Sequence, residues 1–200
     1  LFRSFFLGPR NFYDALNRMG EAEQKQFCMT SVMFVNQLYG QQALAAQQRV
    51  HARFINTTMM ATLTGGACSD GLDDGRMVSG VGGQYNFVAM AHELPGARSI
   101  LTLRSTRSKG GKVTSNIVFN YGTLTIPRHL RDVVITEYGI ADLRGKQDKD
   151  VIAALLNIAD SRFQKELTAK AKKAGKLPRD HRIPEAFQNN FPQEIASRMA

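Results

Sequence analysis

Residues 79–87 read SGVGGQYNF, three glycines within four positions followed by residues that suit a helix start. Glycine has no Cβ, so a Gly-x-Gly-Gly turn reaches positive φ and brings bare backbone N–H groups up to a ligand. A helix opened by Asn86 or a neighbour, and running through Val88, Ala89 and Ala91 to Leu94, adds its dipole to those donors. The guests of such a turn are anions, or oxygens that become anionic during a reaction. A tight turn between packed elements uses glycine equally well, so the surrounding sequence must separate the two readings.

Upstream, residues 30–35 (TSVMFV) are β-branched and apolar and predict a buried strand. Gly40 breaks that pattern. Residues 41–51 then predict an Ala- and Gln-rich helix and residues 52–57 a second strand, the order of a strand–helix–strand crossover. Residues 59–63 (MMATL) fit strand or helix, and SDGLDDG beyond them predicts a turn-rich surface loop. At the start of the chain, Pro9 opens a helix with Phe12, Tyr13, Leu16 and Met19 in a stripe that closes at Gly20.

Downstream, residues 98–103 (RSILTL) predict a strand, and residues 104–112 (RSTRSKGGK) a basic, flexible loop beyond it. Open α/β sheets gather ligands at the carboxyl ends of their strands, where this loop falls. Its four cations suit phosphate, or simply keep a hairpin loop solvated. Residues 114–119 and 133–136 predict further strands, the latter ending at Glu137. From Asp148 onward, Val151, Ile152, Leu155, Leu156 and Ile158, then Phe163 and Leu167 after a break at Asp160, recur at helical intervals. Residues 165–176 predict a solvated helix, and the chain from Leu177 an extended tail.

The composition, 43% hydrophobic and 22% charged, is that of a folded chain rather than a disordered one. One domain over residues 1–200 is expected, with a core at about 30–165 and a helical tail at 148–200. No apolar run approaches the roughly 20 residues that span a bilayer, which points to a cytoplasmic protein without a membrane partner. Cys28 and Cys68 have no Cys or His at metal or disulfide spacing. Asp70, Asp73 and Asp74 lack the remaining positions of a calcium loop, so no metal is expected. The opening LFRSFFLGPRNF, without an initial methionine, predicts a piece of a longer protein. A net charge of +9 calls for an acidic partner: a phosphorylated cofactor, a nucleic acid or an anionic surface.

Among titratable groups, His92 falls inside the helix after the glycines and reads as a structural histidine. His129, within PRHLRD, reads as a loop contact. Glu137 at a strand end is chemically apt for nucleophilic or base chemistry, but hydrogen bonding is the commoner role there.

The order SGVGGQYNF, STRSKGGKVTSNIV, VVITEYGIADLRGK resembles the carboxyl-terminal half of the acetyl-CoA hydrolase and CoA-transferase family, which includes 4-hydroxybutyrate and succinyl-CoA:acetate CoA-transferases. The likeness covers about residues 35–163, with GPRNFY and RHLRD similar to its long bacterial variety. It implies an α/β fold, an open sheet flanked by helices that forms the second half of the two-domain CoA-transferase fold. It also implies a coenzyme A thioester as substrate, no tightly bound cofactor, and a glutamate nucleophile that passes through an acyl anhydride and a glutamyl-CoA thioester.

Matched motif by motif, the resemblance makes Gly82 and Gly83 the donors to the thioester oxyanion and gives Gly83, Lys109 and Asn56 contacts with the cofactor. The expected glutamate upstream of Gly8 is absent from LFRSFF, and Glu21 and Glu23 sit on an exposed helix end. The nucleophile is therefore not identified in this chain. The partners implied are acyl-CoA, a small carboxylate or water, and a missing amino-terminal half, without which the chain is expected to be inactive; a homodimer is allowed. The alternative is a basic, non-enzymatic module for nucleic acid or another acidic partner, which the lack of aromatics interleaved with the cations disfavours.

Overall fold

A computed structural model describes residues 8–27, 31–80 and 82–199. The chain opens with helices α1 (Arg10–Arg18), α2 (Glu21–Gln24), α3 (Met33–Asn36) and α4 (Gln42–Gln48), followed by strands β1 (Arg53–Thr57), β2 (Met60–Thr62) and β3 (Ala67–Cys68). Helix α5 (Gln84–Glu93) follows the glycine stretch, and strands β4 (Arg98–Thr102), β5 (Thr106–Lys109), β6 (Lys112–Ser115), β7 (Ile117–Val118), β8 (Val133–Thr136) and β9 (Gly139–Asp142) come next. Helices α6 (Asp148–Asn157), α7 (Ser161–Lys173) and α8 (Pro192–Met199) complete the chain.

The central sheet has the order β1-β4-β8-β9. The first two pairings are parallel, and β9 returns antiparallel. A second sheet has the order β3-β2-β7, and β5 and β6 form a separate hairpin. Strand alternation gives the central sheet two unlike faces. Leu101, Val134 and Ala141 are buried on one of them, and Phe54 packs there with Met90 of α5 and with Leu94 just after it. Val134 and Ala141 share a core with Val151, Ile152, Leu155 and Leu156 of α6. On the opposite face Ile55 and Ile140 stay 66% and 70% exposed, so the flanking helices cover one side among the described residues.

Several expectations are corrected. Of the stretch 30–35, Thr30 lies outside the described residues, and the rest forms a turn and α3 rather than a strand. The Ser31 hydroxyl accepts the Met33 N–H at 3.3 Å, which closes a helical turn and leaves the crossover without its first strand. The helix predicted over 41–51 contracts to α4, while MMATL resolves as a strand. The basic segment 104–112 is no flexible loop: Lys109 pairs with Lys112 across a tip of Gly110 and Gly111, whose φ values of 57° and 77° suit a two-residue hairpin turn. SDGLDDG is only partly a surface loop, because Asp70 and Gly71 are buried. The tail from Leu177 is extended only in part, since it contains a 3-10 turn over Glu185–Phe187 and α8.

The break between α6 and α7 is fixed by Asp160, which is fully buried. Its carboxylate caps α7 by accepting the Arg162 N–H at 3.0 Å, pairs with the Arg162 guanidinium at 2.7 Å and accepts the Tyr138 hydroxyl at 2.9 Å. Burial opposes ionisation of Asp160, but the Arg162 and Tyr138 bonds outweigh it and hold the carboxyl below its ordinary pKa. For the Tyr138 phenol, burial first and then the Asp160 carboxylate push the pKa up.

A depressed carboxyl pKa gives stability that is present above the unfolded value of about 4 and is lost as pH falls through the folded one. Asp160→Asn is therefore expected to lower the urea midpoint near neutral pH, by roughly 1–2 kcal/mol of stability, and to make the acid limb of the stability profile shallower. An unchanged midpoint and acid limb would contradict this role.

Candidate functional site

The parallel register aligns Thr57, Thr102 and Ile135, so β1, β4 and β8 deliver their carboxyl ends to one edge of the central sheet. The glycine stretch returns to that edge. The Gln84 side chain at the start of α5 donates to the Thr57 carbonyl at 3.3 Å, and Thr57 and Thr102 hydroxyls lie 3.3 Å apart beside it. Ligands of open α/β sheets collect at this kind of edge.

Neither Gly80 nor Gly83 uses left-handed backbone, and Gly83 sits at φ −81°, ψ 1° as the N-cap of α5. Space explains Gly83 instead. A Cβ there would run into the Asn36 side-chain amide and lie 3.1 Å from the Phe87 ring. Gly82 is the reverse case, with open space where its Cβ would stand. Among the described residues no hydrogen bond engages the N–H of either glycine. Unclaimed donors at the start of a ten-residue helix favour an anionic oxygen by position and by dipole.

Asn56 precedes Thr57 on β1, and its amide nitrogen is shut off from solvent without a hydrogen-bond partner. An unpaired donor of that kind carries a desolvation cost unless something accepts from it. Lys109 is exposed at the far end of β5, and among the described residues no hydrogen bond or ion pair ties it to the glycines. Across four residues a strand extends roughly 13 Å, so Lys109 stands on an arm projecting from the edge.

That arm is tied down by Glu137. Its carboxylate accepts the Ser105 N–H at 2.9 Å and the Ser105 hydroxyl at 2.6 Å, fixing the hairpin root to the end of β8. The expected hydrogen-bonding role of Glu137 is thus the one the structure displays. His92 meets the Leu130 carbonyl at 3.0 Å, and His129 is exposed on a 3-10 turn. The aspartates of SDGLDDG are engaged within the protein: Asp70 with the Thr125 hydroxyl, Asp73 with the Gly122 N–H, Asp74 with Arg76. Cys68 is buried, and Cys28 lies outside the described residues. Sequence reasoning missed Asn36 and Gln84 as neighbours of the turn. Gln84 directly follows the glycines and could have been suspected, whereas Asn36 follows a segment that reads as a strand.

Removing the clamp with Glu137→Ala is expected to raise amide hydrogen exchange in β5 and β6 while β4 and β8 keep their protection. Glu137→Gln, which retains an acceptor, should raise it less. Equal protection in all three proteins would show that the hairpin does not depend on Glu137.

Residues 8–171 match the model of the acetyl-CoA hydrolase/transferase C-terminal domain. The chain is 31% identical over 171 residues to 4-hydroxybutyrate coenzyme A transferase of Clostridium kluyveri, covering 85% of this chain and 37% of that protein. It is 29% identical to succinyl-CoA:cyclohexane-1-carboxylate CoA transferase of Geobacter metallireducens, covering 87% of this chain and 38% of the relative. Among solved structures, RipA from Yersinia pestis superposes with a TM-score of 0.59 at 30% identity over 71% of this chain and 31% of that one. The 4-hydroxybutyrate CoA-transferase of Porphyromonas gingivalis gives 0.58 at 26% identity over 84% and 35%. The chain therefore spans about a third of the length of these relatives, from 31% to 38%. With the family model covering most of the described residues, the chain belongs to the acetyl-CoA hydrolase/transferase family, within its carboxyl-terminal domain.

Proposed function

We propose that this chain is the carboxyl-terminal half of an acyl-CoA transferase or acyl-CoA hydrolase, and that the glycine stretch at the start of α5 cradles the thioester. The supporting observation is the pair of unclaimed N–H groups at Gly82 and Gly83, set at the sheet edge where parallel strands end. A glutamate carboxylate supplied from outside this chain attacks the thioester carbonyl carbon. The carbonyl oxygen takes up negative charge, which the two N–H donors stabilise more strongly than they do the ground-state carbonyl.

Collapse of that intermediate expels the CoA thiolate and leaves an acyl-glutamyl anhydride. The thiolate then attacks the glutamyl carbonyl, releases the first carboxylate and forms glutamyl-CoA. A second carboxylate completes a transfer, and water completes a hydrolysis. In this reading Asn56 lies beside the CoA thioester, and Lys109 meets the cofactor from the hairpin arm. Glu137 is committed to Ser105, so it is not assigned as the nucleophile. No glutamate of this chain is assigned as the acyl acceptor, and in this reading the chain is inactive without an amino-terminal half; CoA is a substrate, not a resident cofactor.

Gly82→Val separates chemistry from folding because its side chain enters open space. In the full-length enzyme the variant is expected to keep its urea midpoint and lose roughly 100-fold in kcat toward acyl-CoA, the effect of disturbing oxyanion donors. Unchanged turnover with a correctly folded protein would remove the glycine stretch from the mechanism. Gly83→Val is a poorer test, since displacement of Asn36 mixes structural damage with catalysis.

A further inference from the structure

The glycine stretch is reached through a loop that closes on itself. The Asp70 carbonyl accepts the Val78 N–H at 2.8 Å and the Ser79 N–H at 3.4 Å, Gly71 bridges Met77 in antiparallel fashion, and the Leu72 N–H donates to the Arg76 carbonyl at 2.8 Å. Asp70 and Ser79 are thus the two ends of one small hairpin, and Gly82 comes three positions after its exit. The tip of this hairpin is exposed, whereas its base is not: Asp70 is 8% exposed.

The base is tied to residues 122–125. The Asp70 carboxylate accepts the Thr125 hydroxyl, whose oxygen in turn accepts the Ser69 N–H at 2.8 Å, and the Thr125 N–H is fixed to the Ala67 carbonyl at 2.9 Å. Buried polar groups are ordinarily paired, and a carboxylate binds a hydroxyl more strongly than a neutral acceptor does. Further along the hairpin, the Asp73 carboxylate accepts the Gly122 N–H at 2.8 Å, and a Cβ on Gly71 would strike the Thr123 hydroxyl. At the other end of the glycine stretch, Gln84 donates to the Thr57 carbonyl and Gly83 sits against Asn36. The Gly82 and Gly83 N–H groups therefore lie between two supports, one on the sheet edge and one on Thr125. Neither group has a hydrogen bond of its own among the described residues, so these supports set where it points.

We propose that Asp70, acting through the Thr125 hydroxyl, is a positioning residue for the oxyanion donors, an inference that rests on the acyl-transfer reading above. Neither side chain touches the thioester. Donors fixed in advance stabilise a developing charge only while they stay aimed at it, and a displacement on the order of 1 Å can cost up to about 100-fold in rate. Loosening the base of the hairpin frees its exit at Val78 and Ser79, and the Gly82 N–H moves with that exit. The contacts that bind the rest of CoA are left in place, so the loss falls on kcat rather than on KM.

The test compares Thr125→Val, Thr125→Ser and Asp70→Asn in the full-length enzyme, by acyl-CoA kinetics and by amide resonances recorded without substrate. Thr125→Val keeps the side-chain shape and loses the hydroxyl; it is expected to lower kcat roughly tenfold with KM within about twofold. The same variant should shift the Gly82 amide resonance and leave those of Gly110 and Gly111, on the distant hairpin tip, in place. Thr125→Ser, which restores the hydroxyl, should recover most of the lost kcat, and Asp70→Asn, which keeps an acceptor oxygen but no charge, should show a smaller loss of the same kind. An unmoved Gly82 amide in both Thr125→Val and Asp70→Asn, a kcat that falls only with the folded fraction, or no recovery in Thr125→Ser would overturn the proposal. The substrate-free amide shifts fail independently of the acyl-transfer reading, which fails instead if Gly82→Val leaves turnover unchanged.

Discussion

Parallel pairing of β1, β4 and β8 is the constraint from which the site follows. A parallel register carries three strands to a common end, and the chain leaving each must turn in the same region of space. Those exits are Thr58, Leu103 with Ser105, and Glu137. The return from β1 to β4 runs through the glycine stretch and α5, so the helix amino terminus lies at the same edge as the strand ends. Among the described residues, the Gly82 and Gly83 N–H groups stand at that edge outside every sheet and helix hydrogen bond.

Two carboxylates pin β8 at its opposite ends. Asp132, buried just before the strand, accepts from the Arg98 guanidinium at 2.7 Å and the Ser99 N–H at 2.7 Å and also pairs with Arg144. Glu137, just after it, holds Ser105. The first locks the amino edge of β4 and β8 through a buried charge with several donors, a setting in which loss of one partner is costly. The second sits at the solvent-facing edge and orients the arm that carries Lys109. The shared strand therefore links the rigid side of the sheet to the side on which a ligand is expected.

Much of this was legible in the sequence because local preferences and tertiary packing agree. The β-branched run at 133–136, the helical spacing of Val151, Ile152, Leu155 and Leu156, and Asp160 as a break all appear where the residues predict them. Three motifs in fixed order disclosed the family. The failures have a common cause. In residues 31–35 the β-branched pattern has no strand to pair with among the described residues, and Ser31 offers a local hydrogen bond that favours a helical turn. In residues 104–112 charge and glycine suggested a flexible loop, whereas the hairpin alternative is what forms, since two consecutive left-handed glycines suit a tight hairpin turn. At Gly83 the need for glycine comes from Asn36, 47 positions earlier, a contact that no local pattern encodes.

The account turns on whether the N–H groups of Gly82 and Gly83 face the thioester oxygen. Amide resonances of the full-length protein, followed during titration with free CoA and with a non-cleavable acyl-CoA analogue that keeps the carbonyl, measure this directly. The account predicts downfield shifts of the Gly82 and Gly83 amide protons that appear with the carbonyl-bearing analogue and are much smaller with CoA alone. Saturating binding of the analogue that leaves both amides unmoved would contradict it.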